Sequence, residues 1–271
     1  MMDNSAVDPE SAVQVAHNGS TLTLTINRPR AGNAINSEVS TLIARTIDDA
    51  DADPDVAVVV ITGAGDRFFS AGADIAALKN DESVLPDPPY GNYGLAGCIE
   101  RTISKPIIAA VGGMAFGGGF EIALAADIVI ADPGARFAFP EVRVGIFPGA
   151  GGVHRLARRV PEVVAAHTLL TGDAIQAVDA HRFGLVSSLS EPGRCLAEAH
   201  RVAELIAQGS PLGVRYTKRL LRNLDDDGRS LNETDAWERS NALRDTILAT
   251  ADATEGFSAY LEKRAPRWSG A

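Results

Sequence analysis

The sequence predicts an α/β protein. Three observations carry that expectation: an amino-terminal hairpin signal, buried β-branched runs that alternate with helical patterns, and a carboxyl-terminal part that reads as successive helices. Residues 13–17 and 20–26 alternate or run β-branched (Thr21-Leu22-Thr23-Leu24-Thr25-Ile26), with the turn pair Asn18-Gly19 between them. Ser37 is the expected cap of a helix over 37–50, whose apolar positions are Val39, Leu42, Ile43 and Ile47. Asp53-Pro54-Asp55 breaks it, and the unbroken apolar run over 56–61 reads as a parallel strand covered on both faces. A second such strand is expected over 106–111, a helix over 118–126 and a third strand over 127–131, joined by right-handed crossovers. After about Gly152, helices are expected over 161–171, 174–183, 194–208, 211–223, 230–250 and 251–264. The chain thus divides into an α/β core over 1–200 and a helical region over 201–271, with the change near 190–210. Residues 81–94 hold three prolines and read as a lid or binding loop, with disorder an equal alternative.

The bulk chemistry narrows the function. A chain of 271 residues with 45% apolar and 22% charged residues can bury a substantial core. Its formal charge of −10 argues against non-specific binding to nucleic acid or to an anionic membrane. Cys98 and Cys195 form no spaced cluster, so neither a disulfide framework nor a zinc site is expected, and two reduced thiols fit a cytoplasmic setting. Residues 1–10 lack the basic start and apolar stretch of a secretory signal.

Chemistry concentrates at glycine-rich turns. Phe69-Ser70-Ala71-Gly72-Ala73-Asp74-Ile75 follows a strand and opens a short helix, and Gly117-Gly118-Gly119 opens another. Turns of this kind leave backbone N–H groups free, and two of them from separate turns can bracket one carbonyl oxygen. Either turn alone is more simply a helix start. A phosphate loop is a weak reading, because the run Gly117–Glu121 lacks the G-x-G-x-x-G spacing and no G-x-x-x-x-G-K-[ST] occurs. Glu121 falls in the first turn of an otherwise apolar helix, where a carboxylate is rarely buried unless it is used or paired. Glu141, in Phe139-Pro140-Glu141, would by itself be an ordinary surface charge. Together with the turns, the two carboxyls read as an acid/base pair beside an anion-stabilising site.

These segments resemble the enoyl-CoA hydratase/isomerase family, the crotonase superfamily. Matching stretches are Asn27-Arg28-Pro29, Asn33-Ala34-Ile35-Asn36, Phe69 to Ile75, Gly117-Gly118-Gly119-Phe120-Glu121, Phe139-Pro140-Glu141 and Gly145-Ile146-Phe147-Pro148-Gly149-Ala150-Gly151-Gly152. Arg155-Leu156, Glu255-Gly256 and Leu261-Glu262-Lys263-Arg264 follow in family order, so the likeness covers roughly residues 13–266. It implies a crotonase-like spiral of ββα units with a C-terminal helical trimerisation region, assembled as homotrimers or dimers of trimers, and an acyl-CoA substrate of the kind met in fatty-acid metabolism. By motif, the oxyanion donors fall on Ala73 and Gly118, the acid/base positions on Glu121 and Glu141, and a water-orienting position on Gly149. Arg28, Ala31, Ala71, Asp74, Ile75 and Gly117 fall in segments that line the coenzyme A and pantetheine. Tyr260 and Lys263 match positions near a neighbouring subunit's coenzyme A. Gly32 and Val153-His154 depart from the family's usual residues, and the proline-rich 81–94 segment lies where the acyl pocket is shaped.

The resemblance implies hydration of a 2-enoyl thioester, with Glu121 acting mainly on water and Glu141 mainly at C2, and neither a cofactor nor a metal. Isomerases of the superfamily typically need only the carboxylate at the Glu141 position, so the presence of Glu121 favours a hydratase. An isomerase, another acyl-CoA lyase or hydrolase, and a non-catalytic acyl-CoA-binding subunit stand as alternatives. His154, His167, His181 and His200, the Asp225-Asp226-Asp227 turn and Trp237 read as structural. The basic run Arg155 to Arg159 reads as a solvated helix face or, with less support, a nucleic-acid patch.

Overall fold

The computed structural model describes residues 10–270, so the reading of residues 1–9 falls outside the described part. Strands β1 (Val13–Asn18) and β2 (Thr21–Ile26) form the expected antiparallel hairpin, closed where Asn18 faces Thr21, with Gly19 in the left-handed region at φ +57°. Helix α1 (Ser37–Ala52) follows. Its cap is Asn36 and not Ser37: the Asn36 side chain accepts the Val39 N–H at 3.0 Å, while the Ser37 hydroxyl donates to Asp87.

Three ββα-type turns come next. The first is β3 (Val58–Gly63), β4 (Phe68–Ser70) and α2 (Ile75–Lys79); the second is β5 (Ile107–Val111), β6 (Met114–Phe116) and α3 (Gly118–Ala125). The third is β7 (Ile128–Ala131) and β8 (Arg136–Ala138), followed by a 3₁₀ turn over Pro140–Val144. Helices α4 (Gly152–Arg159) and α5 (Glu162–Thr171), strand β9 (Ile175–Gln176), α6 (Ala177–Arg182) and β10 (Ser188–Leu189) close the core. The chain ends in α7 (Cys195–Ala207), α8 (Pro211–Arg222), α9 (Thr234–Leu248) and α10 (Ala251–Glu262). Each turn gives one strand to each of two sheets, which makes the arrangement a spiral. One sheet runs β1-β2-β3-β5-β7-β10, parallel beyond the hairpin, and the other runs β4-β6-β8-β9.

Burial on both faces explains the unbroken apolar runs. Val59, Ile61, Ala109 and Val111 point into the main core with Val39, Ile43 and Ile47 of α1. Val58, Val60, Ile108 and Ala110 meet Cys195, Ala199 and Ala203 of α7. Each fully buried aliphatic side chain contributes about 2 kcal/mol. Residue 200 therefore lies inside a helix that packs on the sheet. The 81–94 segment is a defined wall, held where Ser40 Oγ donates to Val84 O at 2.7 Å and Tyr93 OH to Asp48 at 2.9 Å.

Candidate active site

The two glutamates are brought together through their neighbours in sequence. Phe120 stacks on Phe139, with ring centroids 4.5 Å apart and planes at 20°. Glu121 follows the first ring on α3, and Glu141 stands two residues after the second in the 3₁₀ turn. Both line one cavity of about 400 Å³. Glu121 is 2% exposed, and its Oε1 accepts the N–H groups of Ala150 (2.7 Å) and Gly152 (2.9 Å). Glu141 is 9% exposed, and its Oε2 finds no partner among the described residues.

Burial raises the Glu121 carboxyl to about 7, against the opposing pull of the Gly152 and Ala150 N–H bonds and of Arg155 and Arg244. Glu141 is lifted well above the usual carboxylate range, by burial first and by the negative charge of Glu121 second. Two acids this close titrate as one unit.

The glycine turns abut beside the pair. Gly72 adopts φ +90°, and a Cβ there would fall 2.5 Å from Gly118 N, so only glycine lets the two turns meet. The N–H groups of Ala73 and Gly118 are the result: among the described residues neither has an acceptor in the protein. Ile35 N and O are bonded to Gly72 O and Asp74 N, which holds the first turn in place and leaves Ala73 N outside that ladder. Gly117 adopts φ +52° and ψ −127°, and a Cβ there would lie 2.9 Å from Glu141 Oε1. Two preset donors next to two buried acids can hold a carbonyl oxygen as charge develops on it and move protons at the adjoining carbons.

The other expected positions divide. Ala71, Ala73, Ile75, Gly117, Gly118, Gly149 and Tyr260 line the cavity. Arg28, Ala31, Asp74 and Lys263 stand outside that lining. Arg28 Nη1 donates to Asp74 Oδ2 (3.0 Å) and Ala34 O (2.7 Å), and Asp74 caps α2. Ala31 is exposed in a 3₁₀ turn, and Lys263 ends α10 at φ +55°. Gly149 accepts from Ser240 Oγ at 3.0 Å, while its successors Ala150 and Gly152 hold Glu121.

Several lining residues escaped the sequence reading: Glu100, Arg244, Arg143 and Arg264, with Leu95 and Ile247 as apolar wall beside Leu85 of the 81–94 segment. Arg155 is no part of a solvated face. It is largely buried, with Nη2 2.8 Å from Glu233 Oε2 and also donating to Ile99 O at 2.8 Å. Trp237 Nε1 donates to the same Glu233 at 3.3 Å. Cys98 and Cys195 are free thiols whose burial pushes both up to about 12. No cluster of metal-ligating side chains occurs among the described residues.

Comparison with known proteins bears on this geometry. The sequence pattern of the family described as Enoyl-CoA hydratase/isomerase matches residues 16–271. The chain belongs to that family. It is 40% identical to a carnitinyl-CoA dehydratase of Salmonella arizonae over 96% of its own length and 98% of the relative's. A carnitinyl-CoA dehydratase of Escherichia coli is 37% identical at the same coverage. Its backbone matches the crystal structure of a carnitinyl-CoA hydratase from Mycobacterium avium at a TM-score of 0.93, with 41% identity over 97% of this chain and 100% of that one. An enoyl-CoA hydratase from Mycobacterium tuberculosis matches at 0.74, with 38% identity over 97% and 100%. The fold is the crotonase spiral, and this family member is an enzyme whose relatives at this identity are hydro-lyases.

Proposed function

We propose that this family member adds water across the 2,3 double bond of a 2-enoyl-CoA thioester to give the 3-hydroxyacyl-CoA, or runs the same reaction backwards as a dehydratase. One observation carries the reading: two buried carboxyls with raised proton affinity share a cavity with the unpaired N–H groups of Ala73 and Gly118. The thioester oxygen sits between those donors, each worth about 3–4 kcal/mol as charge builds on it. Glu121, whose Oε1 is held by the Ala150 and Gly152 N–H groups, is the base that takes a proton from water on its way to C3. Glu141, whose proton affinity is raised by burial and by the Glu121 charge, delivers a proton to C2. The electrophile is supplied by the backbone, so the scheme uses neither metal nor cofactor. The relatives' names support a narrower form, in which the thioester carries a carnitinyl-type acyl group. Loss of crotonyl-CoA absorbance on hydration tests the general form. Glu121→Gln is expected to slow it by about a hundredfold or more, and near-normal turnover would remove Glu121 from the reaction.

No helix among the described residues is long and apolar enough to cross a membrane. We read the enzyme as cytoplasmic and as a homotrimer or dimer of trimers, with residues 201–271 as the assembling region.

A further inference from the structure

One charged group in the cavity has no employment in this chemistry. Glu100 lines the same pocket as Glu121 and Glu141, yet its carboxyl makes no hydrogen bond and no ion pair with any described residue. Burial lifts it above the usual carboxylate range, opposed by the more distant charges of Arg244, Arg155 and Arg229. Its neighbours hold it in place with some care. Glu100 N donates to Tyr93 O at 2.9 Å, and the preceding carbonyl, Ile99 O, accepts from Arg155, itself locked on Glu233. Gly94 sits at φ +73°, and a Cβ there would be 2.7 Å from Glu100 Cγ, so the glycine makes room for this side chain. The next residue, Leu95, comes within 2.5 Å of where a Cβ on Gly118 would stand, which puts the Glu100 segment directly beside the donor turn.

The other charges in the lining are committed or answer to other groups. Arg143 pairs with Asp173 at 2.6 Å, and Arg264 pairs with Glu255 at 2.6 Å. Arg244 lays its alkyl stem along Gly149, 3.5 Å from where a Cβ would be, and its charge reaches Glu121 as well as Glu100. An all-hydrocarbon acyl chain would leave the Glu100 carboxylate with no partner in contact, answered only by the more distant charges of Arg244, Arg155 and Arg229. A cation on the acyl chain compensates it. The walls also say which kind. A primary ammonium carries three N–H donors, more than the Glu100 carboxylate alone would satisfy, and Leu85, Leu95 and Ile247 of the same cavity add no acceptor. A quaternary ammonium has no donor to satisfy; it needs one negative charge and apolar contact for its methyl groups.

We propose that Glu100 is a specificity-determining residue that reads a quaternary-ammonium charge on the acyl chain of the thioester. The proposal rests on the acyl-CoA hydratase reading and adds to it the residue that selects the substrate's charge.

The test uses two matched enoyl thioesters, one ending in a trimethylammonium group and the other in its neutral isostere, a tert-butyl group. The quantity read is the ratio of their kcat/KM values within one enzyme, which cancels any general loss of activity. The wild type is expected to favour the cation by about tenfold or more, and Glu100→Gln to bring the ratio down by about that factor. Arg244→Leu removes the opposing positive charge and is expected to raise the ratio. A wild-type ratio near one, or a ratio unmoved by Glu100→Gln, overturns the proposal. Should Glu100→Gln fail to fold, calorimetric binding of the two saturated thioesters to the wild type decides, with equal affinities overturning it. Failure of the hydratase reading looks different, since crotonyl-CoA would then also go unturned while the binding comparison still judges Glu100.

Discussion

Glu121 and Glu141 are held in the fold at a cost that pH should expose. Burial raises both above the ordinary carboxylate range, Glu121 to about 7. A raised folded-state value means that the folded protein binds the proton more tightly than the unfolded chain. The associated stability is full below the unfolded value and drains away as pH rises through the folded one. For Glu121 alone this is on the order of 3 kcal/mol. A Glu121→Gln, Glu141→Gln double variant keeps oxygens that can accept the Ala150 and Gly152 N–H bonds but cannot ionise. Its Tm is expected to exceed that of the wild type at about pH 8.5 and to approach it at about pH 5. Equal Tm differences at both values would mean that the two acids are not desolvated as described. Both glutamates were legible in the sequence, because an acidic residue in the first turn of an apolar helix and a second one beside a glycine run are unusual. Glu100 was not: in Cys98-Ile99-Glu100-Arg101 it looks like any surface acid, and only the fold sets its carboxyl in the pocket. The residues that grip Glu121, Ala150 and Gly152, follow Gly149 in the same glycine run and were not singled out in the sequence.

Among the elements, the long apolar strands and helices were readable because their periodicity spans enough residues to be distinctive. The second sheet was not, since β4, β6 and β8 have three residues each and β9 two, too short for any alternation to register. Nor could the sequence tell that α8 is tied to the core through a buried ionic knot. Lys218, 5% exposed, lies 2.8 Å from Asp127 Oδ2 and donates to Lys105 O at 2.7 Å, while Arg222 reaches Asp127 Oδ1 at 3.0 Å. Burial would raise the Asp127 carboxyl, but Lys218 and Arg222 outweigh it and hold the group below its usual value. Removing one member leaves the others buried and unpaired, which costs about 3–5 kcal/mol. Asp127→Ala is therefore expected to lower the urea midpoint by that equivalent and to loosen α8 before the core. Hydrogen exchange that shows α8 amides as protected as in the wild type would refute the link between knot and helix.

For the molecule as a whole, the surface of α8 is the feature that a single chain leaves unexplained. Leu212, Tyr216 and Leu220 recur every fourth residue on one stripe and are 60%, 61% and 82% exposed, with Leu221 beside them at 75%. Apolar side chains spaced at i and i+4 share one helix face, and a contiguous face of this kind marks an interaction surface. The helix is anchored to its own chain from the opposite side by Lys218 and Arg222, so the stripe is free to meet another copy. We propose that residues 201–271 assemble through this stripe. Tyr216→Glu with Leu220→Glu places two carboxylates in the stripe, and burying them against another copy's apolar face is unfavourable. Light scattering is expected to report a trimer or hexamer for the wild type and a monomer for the double variant, with its circular dichroism retained because both residues are mostly exposed. If the variant keeps the wild-type mass, the α8 stripe is not the contact, and the assembling surface must be sought on the exposed Val163 and Leu170 face of α5 instead.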